Sequence, residues 1–399
     1  MLRSLGSSPR STNASLSGHR FPHPLPFHSL SNPLQPHRER HCSSRMQQLN
    51  PSVHLQASSS DSAVERPVLG KGKPGDPDDC KIGCGVAMWL PQDGLYRMWY
   101  YTNSQAQNDN GDVPKGLSLG NICLAESKDF VNWEKKGVVI SPGTDSQDWD
   151  SGGLGLTSAA WINEEVWLPL FGQDKLAQGK FGKQRLGLAR SKDGVTWKKV
   201  KGHGHGGSIL EGSDDKDAWE SSMSFCPGMV QTSDGSYIYY YHSSKLRERE
   251  GKERNIWMIG YATSTDGVHF EKGGPIKWTN EVAKMDYGGQ AGPAVIPNPY
   301  GRGFLMAYTA LDKEMPGSFY GKWSTGLATS PDGVTWTRLG DQPVASGEEG
   351  HWDEQGVGHP SLCLGPDGLL RMLYHAFPNK GIGAMIVAEK GNLTKWKRL

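Results

Sequence analysis

The stretch ATSPDGVTW, Ala328–Trp336, decides the fold because it recurs along the chain. AESKDFVNW (Ala125–Trp133), ARSKDGVTW (Ala189–Trp197) and ATSTDGVHF (Ala262–Phe270) share its length and pattern, and AEKGNLTKW (Ala388–Trp396) is a degenerate fifth copy. Asp-Gly between two apolar runs predicts a tight hairpin turn, because Gly readily adopts the positive φ that the turn needs. The aromatic residues that end the copies are 64, 73, 66 and 60 residues apart. Periods of this length, built of short strands, indicate blades or arrays.

A second predicted hairpin precedes each copy, at residues 84–102, 156–172, 226–244, 292–310 and 359–377. Each repeat is therefore expected to have four antiparallel strands, A to D. Five such repeats predict an all-β, five-bladed β-propeller over residues 78–399. Its blades are expected at about residues 84–147, 156–217, 226–284, 292–350 and 359–399. A composition of 52 Gly, 25 Pro and 14 Trp fits many short strands joined by turns.

The first sixty residues have a different composition from the rest. They contain one acid, Glu39, six Arg, no Lys and fourteen Ser. An Arg- and Ser-rich, acid-poor leader predicts an organelle transit peptide, most simply one for the chloroplast stroma. A disordered tail is the alternative. Residues 61–77 are then a linker.

Charge and cysteine content exclude several classes of function. The net charge of +1 indicates neither a nucleic-acid nor a membrane-surface partner, and no run approaches the ~18 apolar residues of a membrane-spanning helix. Five Cys follow the leader at irregular spacing, with Cys80 and Cys84 as a C-x3-C pair. This pattern indicates reduced thiols, because it matches neither a disulfide framework nor a zinc site.

An acid stands at one offset before every strand A: Asp78, Asp150, Glu220, Asp286 and Asp353. A residue repeated in all blades is expected to be architectural, accepting backbone N–H bonds in the crossing between blades. Two carboxylates ~8 Å apart at an effective dielectric of about 20 would repel by roughly 2 kcal/mol. Five acids pointing at the axis would therefore require a cation or protonation.

Function is expected on the face that carries the crossings into strand A and the loops between strands B and C, because those loops differ between repeats. The fourth of these loops carries Phe319, Tyr320 and Trp323, whose rings could stack on a sugar or simply pack the loop.

Blade five resembles the last blade of family 43 glycoside hydrolases, which are five-bladed propellers. The motif is Gly358-His359-Pro360-Ser361, then the turn Pro366-Asp367-Gly368, then Tyr374-His375. The resemblance covers the architecture of residues 78–399, but its specific motif is confined to blade five. It implies that His359 lies in the central channel and helps bind a cation such as calcium, or a water, near the sugar.

The chain departs from the family where the catalytic acids are expected. Those positions hold Cys84, Ser158 and the Ser224–Cys226 stretch. Hydrolysis with inversion needs an acid and a base about 6.5–9.5 Å apart, so two hypotheses stay open.

In the first hypothesis the protein is a divergent glycosidase with displaced acids. The catalytic roles would fall to Asp78 (or Asp79), Asp150 and Glu220, with Glu220 as the general acid. The predicted substrate-binding residues are His359, His242, His375, Asp286, Asp353 and Trp323. In the second hypothesis hydrolysis is lost and the propeller binds a glycan or serves as a protein scaffold.

Overall fold

The computed structural model describes residues 66–114, 119–176, 180–215, 217–249, 252–313, 323–378 and 380–399. The predicted transit peptide, the start of the predicted linker, and Phe319 and Tyr320 lie outside the described residues. Within these ranges the helices are α1 (Gln105–Asp109) and two 3-10 turns, His205–Gly207 and Lys284–Asp286. None of the described helices is long and apolar enough to cross a membrane.

The regular structure is almost entirely antiparallel β-sheet. The first sheet contains β1 (Lys81–Leu90), β2 (Leu95–Asn103), β3 (Asn121–Ser127) and β4 (Glu134–Ile140), in that order. The second contains β5 (Leu154–Leu156), β6 (Ala160–Ile162), β7 (Glu165–Lys175), β8 (Phe181–Ser191), β9 (Lys198–Lys199) and β10 (Leu210–Glu211). The last contains β21 (Val357–Leu364), β22 (Leu370–Ala376), β23 (Gly381–Val387) and β24 (Trp396–Arg398).

The remaining sheet has ten strands and consists of two antiparallel units. The first unit contains β11 (Ser222–Gln231), β12 (Tyr237–Arg249), β13 (Lys252–Ser264), β14 (Glu271–Pro275) and β15 (Lys277–Trp278). The second contains β16 (Gly289–Pro297), β17 (Phe304–Leu311), β18 (Trp323–Ser330), β19 (Thr335–Arg338) and β20 (Ala345–Ser346). Parallel pairing joins the units at Trp257↔Gly289 and between β15 and β19. The ten-stranded sheet thus divides into two antiparallel series of strands, and with the other three sheets it gives five such series in chain order, called units below.

The first strands of the five units contact one another in chain order, β1 with β5, β5 with β11, β11 with β16 and β16 with β21. The last of them, β21, also contacts β1. Five apolar clusters follow the same order, and each spans at least two units. The cluster that contains Leu373 and Ile382 of the last unit also contains Tyr96 and Met98 of the first. The main cores thus lie between the units.

The recurring nonapeptide forms the turn that leads into the outermost strand, and its side chains close it. In the second copy the Ser191 hydroxyl accepts the N–H of Gly194 at 2.8 Å, and Asp193 accepts the N–H of Val195 at 2.8 Å. Gly194 has a φ of 69°. The turn is longer than the expected two-residue Asp-Gly turn, because β8 ends at Ser191 and β9 begins at Lys198.

These turns also bind the neighbouring unit. The carbonyl of Gly194 accepts the indole N–H of Trp197 in its own turn at 3.2 Å and that of Trp99, in the preceding unit, at 2.8 Å. In the same way the Tyr240 hydroxyl donates to the carbonyl of Gly333 at 2.8 Å. Two copies of the nonapeptide, at Gly194 and Gly333, therefore hold the unit before them.

The end of the predicted linker pairs with β23 of the last unit. Leu69 is buried and pairs with Ile382 on β23, and its N–H and that of Val68 both donate to the Ile382 carbonyl. The outermost strand β24 covers only Met385–Val387 of β23. The start of β23 is therefore left with an unpaired edge, which this segment occupies.

Candidate functional site

The first strand of four units contains a bulge at the same position. The register shifts there, and the residue at the shift has positive φ: Cys84 (49°), Cys226 (65°), Gly292 (55°) and His359 (47°). In the second unit the first strand is interrupted instead, between β5 and β6. Positive φ is uncommon for residues other than Gly, and such backbone strain clusters at functional sites. The bulges therefore mark the place to search for a site.

A side chain of the preceding unit accepts the backbone N–H of three of these bulge residues. Nδ1 of His242 accepts the N–H of Gly292 at 3.1 Å. Nδ1 of His375 accepts the N–H of Cys84 at 3.3 Å, which connects the last unit to the first. The hydroxyl of Thr309 does the same for His359 at 2.8 Å. Two of the predicted pocket histidines therefore have a defined role in joining the units.

His359 has a thiol partner. Its Nδ1 lies 3.0 Å from Sγ of Cys226, and both residues are buried. Burial lowers the pKa of His359 to about 4 and raises the pKa of the Cys226 thiol well above its usual value. The pair is therefore a neutral thiol and a neutral imidazole at pH 7, and it lacks the thiolate of a cysteine nucleophile.

Aromatic rings pack beside these histidines. Trp323 lies 5.8 Å from His359 and 4.3 Å from Phe377, measured between ring centroids. Phe377 also lies 4.8 Å from His375. We call these four residues with Cys226 the central cluster. The structure thus brings together three of the predicted substrate-binding residues, His359, His375 and Trp323, and His242 approaches them through Gly292.

The five repeated acids lie in a different environment, against the outer strands of their units. Each pairs with a Lys or Arg of the last strands: Asp78 with Lys135 (2.6 Å), Asp150 with Lys199, Glu220 with Lys272 (2.9 Å), Asp286 with Arg338 (2.6 Å) and Asp353 with Arg398. Four also accept a hydroxyl from a tyrosine on the second strand: Tyr100 (3.4 Å), Tyr241 (3.0 Å), Tyr308 (3.2 Å) and Tyr374 (3.0 Å). The repeat is therefore an acid, a tyrosine and a cation.

Asp150 is the exception within this repeat. Leu170 occupies the position of the tyrosine, since it pairs with Gly187 as Tyr374 pairs with Gly383, so no hydroxyl is available there. Burial raises the pKa of Asp150, and the nearby Lys199 ammonium opposes this effect.

The structure corrects the expected partners of the acids. Backbone amides contribute, as where Ala283 N–H donates to Asp286 at 3.1 Å, but the repeated partner is a cation. The sequence carried an unused signal for it, since a Lys or Arg stands two residues after the aromatic of every nonapeptide copy, from Lys135 to Arg398. Each acid thus has its own counter-ion, whose charge offsets the repulsion expected between the carboxylates.

The predicted catalytic acids are not brought together. Asp78, Asp150 and Glu220 each bind partners within their own unit, and those cations lie on the outermost strands. The Glu220 side chain is 12 % exposed, whereas those of the other four acids are 0–2 % exposed. Among the described residues no group of three or more His, Cys, Asp or Glu could hold a metal ion. The surroundings of His359 favour a thiol partner at Nδ1 over a cation.

No protein-family model matches the sequence. One curated relative is an A type blood N-acetyl-α-D-galactosamine deacetylase of Flavonifractor plautii, 35 % identical over 74 residues, which cover 17 % of this chain and 10 % of that protein. Another is an uncharacterized protein of Mycobacterium tuberculosis, 26 % identical over 149 residues, which cover 37 % of this chain and 44 % of that protein. The matches therefore span less than half the length of either relative.

Solved structures match most of the chain. A thermostable family-43 glycoside hydrolase superimposes with a TM-score of 0.53 at 17 % identity, covering 82 % of this chain and 96 % of that one. A glycosyl hydrolase from Bacteroides ovatus gives 0.55 at 14 % identity, covering 81 % and 92 %. A family-130 structure, from work on glycoside hydrolases that target β-1,2-mannosidic linkages in Candida mannan, gives 0.56 at 14 % identity, also covering 81 % and 92 %. The fold is the β-propeller of glycoside hydrolases, as the resemblance of the last unit indicated.

Proposed function

We propose that the protein is a five-bladed propeller that binds a carbohydrate at the central cluster. The cyclic order of contacts between first strands supports the five-bladed ring, as does the apolar cluster shared by the last and first units. The likeness to glycoside hydrolase propellers supports a carbohydrate as the ligand class.

The observation that carries the proposal is the composition of the central cluster. Small-molecule sites are lined mostly by apolar and aromatic side chains with a few placed polar groups. Trp323 and Phe377 supply flat apolar surfaces that suit the C–H face of a sugar ring, and His359 and His375 supply polar ring nitrogens. The cluster adjoins the strained bulges, which is where the resemblance to family 43 implies the sugar subsite.

Binding without hydrolysis agrees best with the state of the acids. A general acid must hold a proton, and a general base must reach the attacking water. A cation in contact with a carboxylate favours its ionised form, and all five repeated acids have such a cation, but at Asp150 burial outweighs the cation and raises the pKa. Their partners also hold them against the outer strands, whereas the central cluster includes the bulge residues Cys226 and His359 of the first strands.

One observation favours hydrolysis as a second candidate function. Glu220 is the most exposed of the five acids, and its partner Lys272 has a side chain that is 32 % exposed. A partly exposed pair separates at little cost, since such pairs stabilise by only about 0–1 kcal/mol. Glu220 is therefore the acid best able to leave its partner and act as the predicted general acid with Asp78 and Asp150.

Saturation-transfer NMR on the full chain with pooled arabino-, xylo-, fructo- and gluco-oligosaccharides tests both functions. We expect saturation transfer to sugar protons, its loss in Trp323→Ala, and no new anomeric signals. Trp161→Ala is the matched control, because Trp161 is 49 % exposed in the hairpin between β6 and β7, at the opposite end of the first strand. New anomeric signals that vanish in Glu220→Gln would instead establish hydrolysis. Absence of both signals would favour the protein-scaffold alternative.

The plastid stroma is the proposed location, supported by the composition of residues 1–60. A fluorescent protein fused after residue 60 should enter plastids in plant cells. Cytosolic fluorescence would refute this location.

A further inference from the structure

The links between units fix which ring nitrogen carries the proton in two histidines. A backbone N–H can only donate, so Nδ1 of His242 and Nδ1 of His375 must each present a lone pair to Gly292 and Cys84. A neutral imidazole with an unprotonated Nδ1 carries its proton on Nε2. Burial keeps both rings neutral, since it lowers the pKa of His375 to about 3 and that of His242 well below its usual value.

The link itself does not require an imidazole. Thr309 accepts the N–H of His359 with a hydroxyl, at the shortest distance of the three links. A histidine in this role adds a second polar atom, Nε2, which a threonine lacks. The imidazole at position 375 therefore provides a donor that the joining of units does not use.

That donor has no acceptor among the described residues. His375 is 1 % exposed, and its Nε2 is buried without a hydrogen-bond partner. The groups that face the ring are other rings: Tyr101 stacked at 6.3 Å, Phe377 at 4.8 Å and His359 at 5.9 Å between centroids. A buried polar group without a partner is costly, and each one in a native structure requires an explanation.

We propose that Nε2–H of His375 donates a hydrogen bond to an oxygen of the bound carbohydrate. This proposal rests on the proposed function and specifies the ligand chemistry of the same site. The oxygen is a hydroxyl, ring or carboxylate oxygen acting as acceptor. The site therefore suits a hydrogen-bond acceptor. It does not suit a cation, because the protonated Nε2 offers no lone pair to coordinate one.

The variant His375→Asn separates the two roles of the ring. The asparagine side-chain oxygen occupies about the place of Nδ1, so it can still accept the N–H of Cys84, but no atom replaces Nε2. We expect a folded protein whose affinity for the sugar falls by on the order of tenfold, the value of one neutral hydrogen bond. The matched control is Thr309→Ser, which keeps a link between units and has no second donor, and its affinity should equal that of the wild type.

Two readouts keep the test decisive. Long-range proton–nitrogen correlation spectra of the ¹⁵N-labelled wild type should show His375 as the Nε2–H form, with the Nε2 signal shifting when sugar binds. The Nδ1–H form would overturn the proposal even if His375→Asn failed to fold. Unchanged affinity in His375→Asn, with Trp323→Ala still weakened, would overturn this inference alone, whereas absence of sugar binding by the wild type would overturn the proposed function.

The choice of ligand distinguishes the sources of the oxygen. Neutral oligosaccharides supply hydroxyl and ring oxygens, and an oligogalacturonide supplies a carboxylate. A shift of the Nε2 signal with either supports the proposal and identifies the class of sugar. A shift of that signal with calcium chloride alone, absent with sodium chloride at equal ionic strength, would contradict it.

Discussion

Removal of the cation from the most buried of the five acid–cation pairs should destabilise the protein strongly. Asp286 and Arg338 pair at 2.6 Å with side chains that are 0 % and 1 % exposed. In Arg338→Met the carboxylate keeps, among the described residues, the Tyr308 hydroxyl at 3.2 Å and the Ala283 N–H at 3.1 Å. Breaking a buried pair by removing one partner costs about 3–5 kcal/mol, because an uncompensated charge stays buried.

The matched comparison is Lys272→Met, which removes the cation from Glu220. That pair has side chains that are 32 % and 12 % exposed, so solvent screens it. Exposed pairs stabilise by about 0.2–1 kcal/mol, so the second variant should lose at least 2 kcal/mol less than the first.

Urea unfolding of both variants, followed by circular dichroism and tryptophan fluorescence, measures these losses by linear extrapolation. Coincident transitions by the two probes are required for the comparison. The double variant Asp286→Met/Arg338→Met should recover part of the stability, because it leaves no buried charge. A loss below 1 kcal/mol in Arg338→Met, or one no larger than in Lys272→Met, would refute the structural role of the acids.

Three further predictions concern the links and the turns. Thr309→Val removes the acceptor of the His359 N–H and should lower the free energy of unfolding in urea by about 1–3 kcal/mol. Thr309→Ser keeps the hydroxyl and should be as stable as the wild type. Equal losses in the two variants would instead attribute the loss to side-chain packing. Because burial lowers the pKa of His375 to about 3 in the folded state, its contribution to stability is present above pH 6.5 and is lost as the pH falls toward 3. On a change from pH 8 to pH 5, the free energy of unfolding of His375→Asn should therefore fall by about 2 kcal/mol less than that of the wild type. The same pH profile in both proteins would contradict this. Ser330→Ala removes the hydroxyl that accepts the N–H of Gly333 at 2.8 Å and should lower the thermal midpoint; an unchanged midpoint would contradict this role of the hydroxyl.

The sequence was sufficient to predict the strands and turns because those signals are local. Alternating apolar residues around Asp-Gly lie within a dozen positions of one another, and the hairpins predicted from them are present. The turn is longer than the expected tight one because the N–H groups of Gly194 and Val195 donate to the Ser191 and Asp193 side chains instead of to backbone carbonyls of the facing strand.

Some features of the candidate site could not be predicted from the sequence, chiefly because they depend on contacts between residues that are far apart in the chain. The partners of the acids are about 50 residues away, as with Asp286 and Arg338, so their pairing depends on the closure of each unit. The thiol of Cys226 meets His359 across 133 positions. Positive φ at Cys84 and Cys226 is also invisible in sequence, because this conformation is uncommon for Cys.

Carbohydrate binding at the central cluster, without chemistry at the repeated acids, is the proposed function of the protein. The measurement that tests it most directly is proton NMR of the full chain with the pooled oligosaccharides, reading saturation transfer and anomeric signals in one sample. We expect saturation transfer that is lost in Trp323→Ala and retained in Glu220→Gln, with a constant anomeric region. New anomeric peaks in the wild type that disappear in Glu220→Gln would contradict it.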